Sequence, residues 1–185
     1  MTRIGLILFG GPASGKDTIT EELTRADPAY RLYQRLKVGS GRTSGYRMGT
    51  ENDLEQLRAS GAVLWENQRY GNVYVIDRPE LERMARAGLL PVIHLGQSEA
   101  VSELKKAESN THWLVVELWC SRPVAAARIA ARATGDTVER LAAWDQTGHL
   151  NSPDLFIDTT HTSPADAAEQ IRRKAQWLSQ SLSPQ

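Results

Sequence analysis

The sequence predicts an α/β fold, a parallel sheet with helices packed on its faces, and three observations carry that reading. Strand-like and helix-like runs alternate along the 185 residues, the order that produces a parallel sheet. The strand candidates are short, continuous apolar runs, as strands covered on both faces require. A glycine-rich turn separates the first strand from the first helix, which is where such a sheet binds phosphate.

The elements follow in order. "RIGLILF" (3–9) is a buried central strand, and a helix follows from about Gly15 to Ala26. In "NDLEQLRASG", Thr50 and Asp53 form a capping box and Gly61 is the stop. "AVLWE" (62–66) and "NVYVID" (72–77) are strands flanking the turn "NQRYG". Asp77 is an N-cap, with Pro79 in the first turn of a helix that ends at Gly88. "LPVIHL" (90–95) and "WLVVELW" (113–119) are buried strands separated by the amphipathic "SEAVSELKKAE". Arg122 to Ala133 is an alanine-rich helix begun by Ser121 and Pro123, and Arg140 falls on the next helix. "DLFID" (154–158) is the last strand, and Ser163-Pro164 opens a terminal helix containing Ile171, Ala175 and Leu178. With no repeat and no low-complexity linker, a single domain is expected.

Lys plus Arg and Asp plus Glu number 22 each. A neutral chain argues against a general nucleic-acid or membrane-surface binder, which carries a basic excess. No segment reaches the ~20 apolar residues of a membrane span, so a soluble cytoplasmic protein is expected. Cys120 has no partner for an internal disulfide and reads as a packed thiol at a strand end. Four scattered histidines give no zinc-ligand spacing, and His94, on a buried strand, reads as structural.

Gly10, Gly15 and Lys16 fit G-x-x-x-x-G-K. The glycines let backbone N–H groups turn toward oxyanions, the helix N-terminus adds partial positive charge, and the lysine bridges β- and γ-phosphates. The spacing therefore predicts binding of a nucleoside triphosphate. Asp17 stands where Ser or Thr usually meets Mg²⁺; it either approaches the ion or favours the first helical turn as acids there do.

"GGPASGKDT" (10–18) resembles the phosphate loop of nucleoside monophosphate kinases, whose adenylate-kinase form runs G-G-P-G-S-G-K-G-T. "GYRMGTENDLEQLRASGAVLWENQRYGNVY" (45–74) resembles the acceptor-binding insert of the guanylate-kinase branch. Relatives that phosphorylate ribose 1,5-bisphosphate share the fold and carry G-K-D-S, close to Gly15-Lys16-Asp17-Thr18. The resemblance implies a P-loop kinase fold: a core over 1–30 and 78–185, an acceptor-binding insert over about 31–77, and a helical lid over about 128–145. It implies ATP held by Gly11, Ala13, Ser14, Gly15, Lys16, Asp17 and Thr18, with Mg²⁺ as cofactor and Asp17 as its candidate ligand.

Residues 31–50 contain Arg31, Arg35, Lys37, Arg42 and Arg47 and no acid. Where the resemblance puts the acceptor, this bias reads as a pocket for a phosphate already on the substrate; otherwise it is a solvated basic face. Arg35, Lys37, Arg42, Tyr46, Trp65 and Tyr74 are the acceptor-binding candidates. Lys16, Arg128, Arg132 and Arg140 are the catalytic ones, the three arginines surrounding the moving phosphoryl group.

A phosphate acceptor needs no base, whereas an alcohol acceptor needs a carboxylate. Aligned on "GNVY", the acid that reads guanine in guanylate kinases falls on Trp65, one place from Glu66. A one-residue offset turns a strand side chain to the other face, so guanine recognition is expected to be lost. Trp65 stacks on a ring or belongs to the core. The leading expectation is an ATP-dependent kinase for a phosphorylated small molecule. The alternatives are an alcohol kinase using Asp77 or Glu66 as base, and a non-catalytic protein-binding module.

Overall fold

The computed structural model describes residues 3–41, 43–69, 71–133 and 135–182. Its centre is a five-stranded parallel sheet in the order β2 (Tyr30–Leu32), β7 (Leu90–Leu95), β1 (Arg3–Phe9), β8 (Thr111–Trp119), β9 (Leu155–Asp158). Alternation along β1 feeds two cores. Leu6 and Leu8 pack with Ile19 and Leu23 of α1 (Lys16–Ala26) and Ile171 of α7 (Pro164–Ser181). Ile7 and Phe9 pack on the other face with Leu81 and Met84 of α3 (Arg78–Arg86) and Leu104 of α4 (Ser98–Ala107). A strand covered on both sides must be apolar at every position, which is why "GLILF" shows no polar alternation.

Between β2 and α3 the chain builds a second sheet in the order β4 (Arg47–Gly49), β3 (Leu36–Val38), β6 (Asn72–Asp77), β5 (Val63–Arg69). Its outer face is closed by α2 (Glu51–Ala59), with Leu54 packed against Leu36, Val38 and Val75. The expected Thr50–Asp53 capping box is present: the Asp53 N–H donates to Thr50 Oγ1 at 3.2 Å and the Thr50 N–H to Asp53 Oδ2 at 2.7 Å.

Four strands depart from the sequence expectation. Residues 30–49 contain three strands of three residues each, too short for an alternating pattern to reveal. β5 runs on to Arg69 instead of ending at Glu66, and Gly71 (φ 69°) lies in the turn before β6. Asn67 to Arg69, read as part of the turn, are therefore strand, with Asn67 opposite Tyr74 and Arg69 opposite Asn72.

After β8, α5 (Arg122–Ala131) and α6 (Thr137–Gln146) pack against each other. Among the described residues, no helix is long and apolar enough to cross a membrane.

Candidate functional site

The loop between β1 and α1 has the shape an oxyanion cradle needs. Gly15 sits at φ 94° as the N-cap of α1, a left-handed conformation that costs a side chain about 1–2 kcal/mol. Gly10 has no room for a side chain: a Cβ there would lie 2.3 Å from the Leu118 carbonyl oxygen. The Ile19 N–H bonds to the Gly15 carbonyl at 2.9 Å. The Lys16, Asp17 and Thr18 amides therefore stand at the helix end, where N–H groups lack an intrahelical partner.

Lys16 Nζ donates to the carbonyls of Gly10 (2.5 Å) and Gly11 (2.8 Å) and to Ser14 Oγ (3.2 Å). The ammonium thus spans the mouth of the loop. Burial pushes Lys16 down to about 8, against the opposing charge of Asp17. A cation made costly by burial is stabilised by an arriving anion.

A cavity of about 570 Å³ opens from this loop. At the loop end it is lined by Ala13, Ser14, Gly15, Lys16 and Asp17, with His94 beside them. At the insert end stand Arg35, Tyr46, Asn67, Arg69 and Tyr74. Arg132 and Arg140 complete it from the α5–α6 side. Tyr46 and Tyr74 pack with ring centroids 5.3 Å apart, and the Arg35 guanidinium lies 5.4 Å from the Tyr74 centroid. Lys37 is buried behind both rings, its Nζ donating to the Ser40 carbonyl at 2.5 Å and lying 5.7 and 5.9 Å from the Tyr46 and Tyr74 centroids. It supports the rings instead of lining the cavity.

Asp17 is 63 % exposed, with Oδ1 3.5 Å from His94 Nδ1 and Oδ2 3.7 Å from Arg132. The contact with His94, aided by the charges of Arg132 and Lys16, holds its carboxyl down to about 2. Burial pushes His94 below the usual histidine range. An ionised, accessible carboxylate beside the phosphate cradle fits a divalent cation. Among the described residues no group of three or more His, Cys, Asp or Glu could hold one alone. That donor set suits Mg²⁺, which is bound by one or two carboxylates and completed by phosphate oxygens and water.

Several predicted site residues lie elsewhere. Arg128 does not line the cavity: it donates to the Ala13 carbonyl at 3.1 Å, to Thr159 Oγ1 at 3.1 Å and to the Thr159 carbonyl at 2.8 Å. It braces the phosphate loop from behind, because its place on α5 faces the outer side of that loop. Thr18 is exposed in the first turn of α1, outside the lining. Gly11 also lies outside it, its α-carbon turned toward Trp144 and Thr147 of the α6 end, where a Cβ would meet them at 3.2 and 3.4 Å. Trp65 packs partly buried against the core cluster containing Ile76, not on the cavity wall. Arg42 lies outside the described residues.

The candidate bases are also engaged away from the site. Asp77 is buried, caps α3 through the Glu80 N–H (3.1 Å), receives the Tyr33 hydroxyl (3.1 Å) and pairs with Arg47. Glu66 is on the opposite face of β5 from the cavity, paired with Arg58 of α2 at 2.8 Å. Asp17 and Glu99 are the carboxylates that do line the cavity.

Asn67, Arg69 and Glu99 were missed from the sequence. Continuing the alternation Trp65, Asn67, Arg69 through "NQR" to a tight turn before Asn72 would have found the first two. Glu99 carries no local signal.

Among solved structures, the chain is similar to a guanylate kinase from Anaplasma phagocytophilum, with a TM-score of 0.60 and 12% identity, over 96% of this chain and 86% of that one. It is also similar to the protein APE1195, with a TM-score of 0.56 and 16% identity, over 95% and 96% of the two chains. No protein-family profile matches the sequence, and no curated protein matches it. The likeness establishes a P-loop, nucleotide kinase-like fold.

Proposed function

We propose that the protein is an ATP- and Mg²⁺-dependent kinase that transfers the γ-phosphoryl group to a small molecule already carrying a phosphate. One observation carries this reading: the distribution of charge in the cavity. Lys16 and the loop amides stand at one end, Arg35 and Arg69 at the other, with Arg132 and Arg140 alongside. Phosphoryl transfer needs cations around the moving group and an acceptor held in line with it. The two carboxylates that an alcohol acceptor would have recruited, Asp77 and Glu66, are committed to Arg47 and Arg58. An acceptor oxygen that is already ionised needs neither.

GMP is not the favoured acceptor. Trp65, at the position that resemblance aligns with the guanine-reading acid, packs on the core, and the neighbouring Glu66 faces away. An unusual nucleotide or a sugar phosphate fits better.

The test is coupled ADP release against nucleoside monophosphates and phosphorylated sugars, with Lys16→Ala as the reference variant. Turnover in that variant should fall by roughly 10²–10³-fold or more while the protein stays folded, the scale for losing one charge-stabilising group. Near-normal turnover refutes the role of Lys16, and rapid transfer to GMP refutes the reading of Trp65. An acceptor that carries only hydroxyls would revive the alcohol kinase, with Glu99 or Asp17 as base. Absence of ATP binding would favour a non-catalytic module.

A further inference from the structure

Asn67 lines the cavity, yet among the described residues its Oδ1 is shielded from solvent and meets no hydrogen-bond donor. A buried acceptor left unpaired costs stability in the empty protein, and a ligand that supplies the missing donor accounts for it. An amide oxygen only accepts. The oxygens of an ionised phosphate only accept as well, so the phosphate itself is not the partner. Oδ1 requires an O–H or an N–H of the ligand.

The position of Asn67 decides between them. It stands opposite Tyr74, whose ring centroid lies 5.4 Å from the Arg35 guanidinium. Arg69 follows two residues later on the same face of β5. The group that meets Asn67 therefore lies close to the cations assigned to the acceptor's phosphate. In the other direction along β5, Trp65 stands opposite Ile76, and both pack in the core, off the cavity wall. On that face β5 offers no side chain beyond Asn67 to read the distant edge of a base. Hydroxyls sit a few bonds from the phosphate ester of a sugar, whereas the edge of a nucleobase is a whole furanose further away.

We propose that Asn67 sets acceptor specificity by accepting a hydrogen bond from a sugar hydroxyl beside the acceptor's phosphate, and that the acceptor is a sugar phosphate recognised without a base. The carboxamide Nδ2 is left to donate to a neighbouring oxygen of the same sugar. The inference rests on the kinase reading for calling this molecule the acceptor, but not for its binding.

Calorimetric titration of the full chain, without ATP, tests it with inorganic phosphate, ribose 5-phosphate, UMP and GMP. Ribose 5-phosphate should bind at least about tenfold more tightly than inorganic phosphate, the scale of one added hydrogen bond. UMP and GMP add a base to the same sugar and phosphate, and should gain no more than about threefold over ribose 5-phosphate. Asn67→Ala should weaken ribose 5-phosphate about tenfold and inorganic phosphate less than about threefold, with Tm unchanged because no bond within the protein is lost. Much tighter binding of either nucleotide than of ribose 5-phosphate overturns the proposal without using any variant. So does an Asn67→Ala protein that keeps the native preference for ribose 5-phosphate over inorganic phosphate. A lower Tm with that preference kept would make the carboxamide a structural partner of the buried Trp65 Nε1. Failure to bind ATP in a separate titration would instead overturn the kinase reading, and ribose 5-phosphate alone would still decide the role of Asn67.

Discussion

Replacing Arg128 with Ala separates two roles that a lid arginine could have. Its guanidinium makes three hydrogen bonds, to the Ala13 carbonyl, Thr159 Oγ1 and the Thr159 carbonyl. Bonds to a charged donor contribute about 1.5–3 kcal/mol each, which would sum to about 4–9 kcal/mol if they added. They share one donor group and water can reach the vacated carbonyls, so a loss of about 3 kcal/mol is the working figure. For a chain of this length that lowers Tm by about 6–12 °C. Ala13 is held at φ 62° in the phosphate loop, so releasing its carbonyl should also weaken ATP binding. Thermal unfolding by circular dichroism and calorimetric titration with ATP read the two effects. A Tm drop under about 2 °C with a more than hundredfold fall in turnover would refute the brace. Arg128 would then act on the phosphoryl group itself.

Asp77→Ala removes the α3 cap and leaves the half-buried Arg47 without its main partner, so stability should fall by about 3 kcal/mol, measured by urea unfolding. A stable but inactive variant would make Asp77 a catalytic base instead. Arg69→Ala should raise the acceptor's KM by about 10–100-fold, the scale of one or two charge-assisted bonds, with kcat and Tm little changed; an unchanged KM in steady-state assays would remove Arg69 from the acceptor site. Burial pushes the Cys120 thiol up, and its Sγ faces the Ala13 carbonyl at 3.7 Å. Labelling by a thiol reagent at pH 8 should therefore be far slower in the native protein than in urea, and equal rates would show the loop floor to be open.

The local chemistry of the chain reached far into this fold. A continuous apolar run, a glycine pair and a lysine at fixed offsets define β1, the phosphate loop and α1, since each feature acts on residues within a few positions of itself. Thr50 with Asp53, and Asp77 before Pro79, likewise marked helix starts, because a cap satisfies amides three residues away. The alternation in "WENQR" could have been followed further, and doing so would have revealed Asn67 and Arg69 on the face shared with Tyr74.

Partnerships across the chain were of a different kind. The basic segment 31–50 reads as one cluster, yet packing sends Arg35 to the cavity, Lys37 behind two tyrosines and Arg47 to a buried carboxylate 30 residues away. Arg128 on α5 and Arg132 at its C-cap are four residues apart, but the phosphate loop lies close enough to capture the first and leaves the second beside Asp17. His94 carries no signal of its own; its place beside Asp17 and Thr20 exists because β7 runs beside β1 and the phosphate loop leads from β1 into α1. Side-chain identity is set residue by residue, whereas the partner of a charge is chosen by whichever element the sheet order brings within about 4 Å.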